Sequence, residues 1–413
     1  MAEAVSAEPR YDLAVAGGGV IGAAVALGAA QRGFRVLLVE RSVPERSRGR
    51  LGFDLRTLAV SPASRALLDG LGVWNSLTAA PYRRMEVWEE RGTRAITFDA
   101  REVARSELGW IVENSLAVVE LWAALSRQES VTVREAGVSE VRPEPDRVDL
   151  ELAGEWVSAH LLIGADGAQS AVRERLGVAV RPFEVNQMAL ATVVRTARPH
   201  EDTAWQRFLL DGPVALLPTP DPHVCSVVWS QSPEQADRRA LQDDAEFAVE
   251  LERAVQSRLG AVEAVDRRLV FPLRQQLAAS FNPHPRVLLI GDAARVVHPL
   301  AGHGANLGFE DVRDVLDVLT DLGPGADPGT AGLWRAFDRR RRTRSQLMIA
   351  VMGGLRQIYA RGDPLTQWLR NTGVGWLDRA TPVKRQLIVE AMGLGPVSRG
   401  LGRSAGRAHA AVR

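Results

Sequence analysis

One cysteine and one lysine stand in a chain of 413 residues. A lone Cys225 excludes an internal disulfide and any cysteine-held metal cluster, and it fits a reducing compartment. Lys384 being the only lysine makes the basic charge almost entirely arginine. Charge of one sign is not in excess either: 51 basic residues face 50 acidic ones, for a formal net charge of +1. That balance carries no footprint for nucleic acid. No apolar run reaches the ~20 residues of a membrane-spanning helix. The first residues lack the basic and apolar regions of a secretion signal, so a cytoplasmic location is expected. No metal is expected, because His298 and His303 share a loop but spacing supplies no third ligand.

The chain is 46% hydrophobic, enough for a substantial core in two or three domains. Buried-strand patterns over 12–16 and 35–39 flank a small-residue helix over 20–32, which predicts a βαβ unit with a parallel pair. Next come a polar loop over 42–52 and a helix over 61–71 opening on Ser-Pro. Strands are predicted within 85–99 and over 131–133, 148–152 and 161–163, with a helix over 116–126. From about 180 to 273 the pattern becomes mainly β, with one helix over 245–259, and reads as a layer inserted into the first domain. A buried strand over 286–290 resumes that domain, and helices are predicted over 309–319, 332–359 and 383–392. The tail 397–413 has Arg, Gly and Ala but no acid, and reads as disordered.

Three motifs carry chemistry. The first, Gly17-Gly18-Gly19-Val20-Ile21-Gly22, matches G-x-G-x-x-G directly after a strand. Gly17 permits the tight turn, Gly19 removes bulk where a pyrophosphate approaches, and Gly22 lets helix and sheet pack closely. Glu40 ends the next strand, where a carboxylate can accept from an adenosine ribose. A glycine-rich turn in a non-binding α/β domain shares this local pattern, and the fingerprint alone does not separate FAD from NAD. The second motif places Asp166, Gly167, Ser170 and Arg173 after a buried strand, where Asp166 and Arg173 can form a polar brace. The third runs from Gly291-Asp292 through His298-Pro299 to Gly302-His303-Gly304-Ala305-Asn306-Leu307-Gly308. Asp292 can bind a polyol hydroxyl, the glycines allow backbone close to a flat ligand, and Asn306 can serve a hydrogen-bonding edge; an ordinary strand-turn-helix shares the second pattern, and a glycine-rich structural loop before a helix the third.

These motifs, in this order, resemble the class A FAD-dependent aromatic hydroxylases over about residues 11 to 393. Asp54 to Val60, Gly109 to Asn114, Phe271-Pro272-Leu273, His298 to Gly302 and Asp378 to Arg385 resemble the ubiquinone-biosynthesis branch. The resemblance implies an α/β fold: a Rossmann-like FAD-binding domain (10–80, 103–180, 283–330), an inserted mainly-β substrate domain (81–102, 181–282), a C-terminal helical region (331–395) and a flexible basic tail (396–413). It implies that Gly17, Gly19, Gly22 and Glu40 hold the adenosine and pyrophosphate of FAD, and that Arg56 and Asn114 lie near the flavin. It implies that Asp166 and Gly167 serve FAD and the nicotinamide cofactor, and that Asp292 binds the ribityl chain. Pro299, Gly302, Gly304 and Asn306 would form the wall beside the isoalloxazine ring. His303 stands where the family commonly has glutamine, which adds a titratable group near the ring.

The implied reaction uses NAD(P)H and O2 through a C4a-hydroperoxyflavin to hydroxylate the ring of a polyprenylated phenol or benzoquinol precursor. The chain has no second dinucleotide fingerprint, so NAD(P)H would be a transient co-substrate. A membrane-dissolved substrate and no spanning helix would imply peripheral membrane contact. Arg339 to Arg342 with Arg344, or the late segment with Lys384, Arg385, Leu387, Ile388 and Val389, could supply it; the arginine run reads equally as a solvated helix face, and the late segment as a helix packed on the FAD-binding domain. Partner proteins of a ubiquinone-biosynthesis complex are also implied. Trp205, Phe208, Leu209, Leu210, Val214, Leu216 and Leu217 could line a substrate pocket or simply pack sheet on helix. Two other readings stay open: an FAD hydroxylase of another phenolic metabolite, and a catalytically silent flavin-binding subunit.

Overall fold

The computed structural model describes residues 11–90, 95–297, 303–360 and 381–395. The first ten residues and the tail from 396 lie outside the described residues, as do Pro299, Gly302 and the side chain of His303.

Five strands run parallel in the order Val131–Glu135, Val36–Glu40, Tyr11–Ala16, Glu155–Gly164 and Val287–Leu289. They are near-continuous apolar runs because helices cover both faces of a parallel sheet. The first half of Glu155–Gly164 also pairs with the antiparallel strand Val148–Leu152, which in turn pairs with Val138–Pro143. The helix Val20–Ala30 is built from small residues, and Gly28 lets the side chain of Leu316, on the helix His303–Leu322, pack directly on its backbone. Strand register aligns the ends of the central strands. Ala16 lies beside Gly164, and Gly164 beside Leu289. The turns after these three strands therefore emerge side by side at the carboxyl edge of the sheet, where open α/β sheets bind ligands.

The inserted layer is a nine-stranded sheet in the order Arg295–Val296, Leu269–Ala278, Val180–Thr196, Val224–Gln231, Gly212–Pro218, Thr203–Leu209, Arg84–Glu89 and Ala95–Asp99, with Val262–Val265 also on Val180–Thr196. Side chains alternate between its faces. One face carries Val214, Leu216, Val227 and Trp229, packed on Phe247 and Leu251 of the helix Asp244–Ala254. The other face carries smaller side chains and lines a cavity.

Some sequence expectations are corrected. Thr57–Val60, Gly109–Glu113 and Ala79–Tyr82 form a separate three-stranded sheet that periodicity did not reveal. A helix at Pro233–Leu241, capped by the Ser232 side chain, was also not anticipated. The helix expected over 245–259 stops at Ala254, and Gln256 and Ser257 turn the chain with φ of 55° and 49°. The helix expected to start at Phe309 starts at His303.

Several charges of the two basic segments are engaged inside the protein. Arg341, at the centre of the arginine run, is buried and bonded to Asp311 (2.6 Å), Glu310 (2.7 Å) and the Leu307 carbonyl (2.9 Å). Arg344 approaches Glu310 at 3.7 Å, and Arg342 pairs with Asp338. Arg295 completes the network on Asp311, whose carboxylate also accepts from the Gly291 N–H. Carboxylates packed around Arg341 hold its guanidinium firmly protonated against burial. Lys384 is likewise buried, 2.9 Å from Glu102 and above the Phe98 ring, while Ile388 and Met392 pack with Ala100 and Leu108. Arg339, Arg340 and Arg385 remain exposed. No described helix is long and apolar enough to cross a membrane.

Candidate active site

The three turns at the carboxyl edge open into a cleft of about 950 Å³. Gly17 takes φ of 99° against the backbone of Ala165 and Asp166, so the first two motifs touch through glycine. A methyl on Gly22 would collide with the Gly17 carbonyl oxygen. Gly19 differs: it is exposed, and a methyl there would meet nothing within 4 Å. It caps the helix Val20–Ala30, whose free N–H groups and positive dipole end face the cleft as an anion site. Glu40 accepts from the N–H groups of Gly18 (2.5 Å) and Arg41 (2.7 Å), which ties the acid to the turn and leaves lone pairs for a ribose. Sequence reasoning missed Trp122, whose Nε1 donates to the Gly18 carbonyl at 2.8 Å and whose ring closes over Gly18. Only its helical spacing with Leu121 and Leu125 was visible, and that reads as packing.

The expected brace takes another form. Asp166 caps the next helix by accepting from Ser170 Oγ (2.5 Å) and the Val172 N–H (3.1 Å). Arg173 instead donates to the carbonyls of Ala168 and Ala293, both at 2.9 Å, which staples the second motif to the third. Gly167, with φ of 82°, makes the turn between them and lines the cleft with Asp166.

Asp292 lies across the cleft from Gly19. Its side chain reaches the water of the concavity, yet protein surrounds it closely, and that desolvation pushes its carboxyl above the usual range, opposed by Arg295. Gly304 and Ala305 also line the cleft. Asn306 does not. Its Oδ1 accepts from the Ser61 N–H (2.9 Å) and Ser64 Oγ (2.7 Å), and its Nδ2 donates to the Ala59 carbonyl (2.7 Å). It is 8% exposed and pins the third motif to the strand and helix around Ser61, which removes it from the cofactor-facing residues.

A second cavity, of about 600 Å³, lies between the three-stranded sheet and the small-residue face of the large one. It shares Arg56, Leu58, Asn114, Ala168, Phe271 and Asp292 with the cleft. Arg56 is exposed there, with its guanidinium 5.8 Å from the Phe271 ring centroid and no ion pair among the described residues. Asn114 starts the helix Asn114–Leu125, its N–H held by the Arg56 carbonyl at 3.0 Å, and its side-chain amide has no partner among the described residues. Both groups are placed to meet polar atoms of a ligand lying across the junction. Of the expected apolar lining, Leu217 and Trp205 reach the cavity, while Val214 and Leu216 point into the opposite core.

A family model described as an FAD binding domain matches residues 10–350. The chain belongs to this family of FAD-binding proteins. Within it the chain is a class A FAD-dependent aromatic hydroxylase related to the ubiquinone-hydroxylase branch. It is 36% identical over 389 residues to the 3-demethoxyubiquinol 3-hydroxylase of Escherichia coli, covering 93% of this chain and 98% of the relative. It is 31% identical to the ubiquinone hydroxylase UbiL of Rhodospirillum rubrum, over 95% of this chain and 92% of that one. Among solved structures, p-nitrophenol 4-monooxygenase PnpA of Pseudomonas putida superposes with a TM-score of 0.74 at 19% identity, over 94% of this chain and 99% of that one. HpxO of Klebsiella pneumoniae, solved with FAD and uric acid, does so at 0.68 and 18% identity, over 93% and 97%. At these identities the two structures show the shared fold: a Rossmann-like FAD-binding body with an inserted β layer and C-terminal helices.

The residues present fit FAD. The bare Gly19 surface at a helix N-terminus suits a pyrophosphate, Glu40 a ribose, and Asp292 with the unpartnered Asn114 amide the ribityl and flavin region.

Proposed function

We propose that this protein hydroxylates the aromatic ring of a polyprenylated phenol or benzoquinol precursor in ubiquinone biosynthesis, with NAD(P)H and O2 as co-substrates. The observation that carries this reading is that cleft and cavity share Arg56, Asn114, Phe271 and Asp292 as lining residues, where a cofactor in the first would meet a ring in the second. The named activities of the bacterial relatives supply the substrate class.

Bound in the cleft, FAD would supply the redox chemistry that links NAD(P)H, O2 and an electron-rich ring. In balance, Ar–H, NAD(P)H, H⁺ and O2 give Ar–OH, NAD(P)⁺ and water. The chain's own contribution is placement. The glycine turn and Glu40 fix the adenosine end, Asp292 and Asn114 the middle, and Arg56 offers a fixed positive charge beside the junction. The apolar cavity walls hold the ring out of bulk water. At about 600 Å³ the cavity is of ordinary small-molecule size, so a long prenyl tail extends beyond it.

Mass spectrometry of quinone intermediates in a deletion strain tests the reading. Accumulation of a prenylated precursor lacking one ring oxygen, relieved by the wild-type gene, supports it. An unchanged quinone profile refutes it.

A further inference from the structure

The floor of the cavity is one face of the nine-stranded sheet, and cross-strand register names its rows. Val87, Gln206, Ala215, Val228, Ala191 and Leu269 lie side by side across six strands. A neighbouring row holds Ser230, Ala189 and Phe271. Along Gly212–Pro218 the alternation is strict: Pro213, Ala215 and Leu217 line the cavity, while Val214 and Leu216 fill the core behind it. The cavity exists because alanine, serine and proline occupy positions where larger side chains would fill the space.

One residue breaks this pattern. Gln206 is 6% exposed, lines the cavity, and lies between Val87 and Ala215, neither of which can hydrogen-bond it through a side chain. Its carboxamide has no hydrogen bond among the described residues. Ser230, 3% exposed, is a second cavity-lining polar side chain without a partner among the described residues. The Gln206 amide atoms open onto the cavity, where the surrounding side chains offer them no partner. A polar group that enters the cavity would meet both a donor and an acceptor there.

We propose that Gln206 is a specificity-determining residue of this cavity, whose carboxamide hydrogen-bonds an oxygen substituent of the substrate ring. This rests on the proposed ring hydroxylation and adds the group that reads the ring's oxygen pattern. Strands lie about 4.8 Å apart, which sets Gln206 four strand positions from Phe271 at the cofactor junction. The amide thus lies on the cavity wall away from the cleft, and a ring that it holds presents its opposite edge toward the cofactor side. An amide both donates and accepts, so it accommodates a phenol hydroxyl or a quinone carbonyl and rejects a bare hydrocarbon edge.

The test uses the FAD-loaded full chain, with 2-prenylphenol and its deoxy analogue prenylbenzene as probes, and binding read from the perturbation of the flavin spectrum. Wild type should bind the phenol about tenfold or more tightly than the hydrocarbon, the usual worth of one hydrogen bond to an otherwise unpaired group. Gln206→Met, close in shape, should bring the two affinities within about twofold while FAD content stays unchanged. Gln206→Asn, which keeps the amide one methylene shorter, should fall between. Should the Met variant lose FAD, Gln206→Leu is read in its place. A phenol preference that survives in a folded Met or Leu variant overturns the assignment and leaves ring hydroxylation standing. A wild-type protein that binds the two probes equally also overturns it. A wild-type holoprotein that binds neither probe and oxidises NAD(P)H with no phenol overturns the proposed function, and the assignment with it.

Discussion

Gly19→Asp separates cofactor binding from folding more sharply than any other change in the glycine turn. Gly19 sits at the N-cap of Val20–Ala30 with φ −65° and ψ −179°, a backbone that any residue adopts, and space around it is open. Aspartate is itself a favoured N-cap, so the apoprotein should keep or slightly raise its melting temperature. The effect on FAD runs the other way. A carboxylate about 5 Å from a phosphate charge, at an effective dielectric near 20, costs about 3 kcal/mol, which is more than hundredfold in affinity. Gly19→Ala adds bulk without charge and should lose less. Gly22→Ala should damage the fold even without FAD, because its methyl collides with the Gly17 carbonyl. Titration of FAD into apoprotein, followed by flavin fluorescence, reads the affinity, and thermal melts of the same samples read the fold. Wild-type affinity in Gly19→Asp would refute the placement of the pyrophosphate.

Three further outcomes concern buried groups. Arg341→Met removes the buried cation that Asp311 and Glu310 share, leaving them only Arg295 and Arg344, and should cost about 3–5 kcal/mol in urea unfolding; a loss under ~1 kcal/mol, the range of an exposed pair, would mean the network is solvated. Lys384→Met should expose the helix Thr381–Ala391 to earlier proteolysis without changing sedimentation on anionic liposomes, since the amine faces Glu102 and not solvent; reduced sedimentation with unchanged proteolysis would return Lys384 to a lipid-facing role. Burial pushes the Cys225 thiol from 9.0 up to about 12. The unfolded chain therefore releases this proton first, the native state holds more protons between those values, and stability falls as pH rises through that window. Melting temperature against pH should slope downward there in wild type and less steeply in Cys225→Ala; parallel slopes would contradict the thiol's part in it.

The cofactor cleft was legible because its parts are local. Gly17 to Gly22, Glu40, Asp166 and Asp292 each sit at the end of a strand or in the turn after it, and strand periodicity placed them correctly. What periodicity could not show was which buried polar group faces inward. Asn306 lies in a glycine loop that suggests a ligand, yet its amide is consumed by Ala59, Ser61 and Ser64, residues far away in sequence. Arg341 reads as part of a charged helix face until Asp311 and Glu310 close on it. The substrate cavity was legible only in part. Large apolar residues on Gly212–Pro218 drew attention, but Val214 and Leu216 belong to the core, and the small residues between them open the space. Alternation along that strand was the available signal, and size, not hydropathy, was the property to track. The short strands Thr57–Val60 and Gly109–Glu113 gave no such signal because pairing with each other, not local pattern, makes them strands.

The central claim is that one cofactor in the cleft and one aromatic ring in the cavity react across their shared lining. Incubation of the FAD-loaded protein with ¹⁸O2, NAD(P)H and 2-prenylphenol tests it most directly. The product should be a ring-hydroxylated phenol carrying one ¹⁸O atom, formed only when FAD is bound. Oxygen drawn from water, or hydroxylation that persists after FAD is removed, would contradict it.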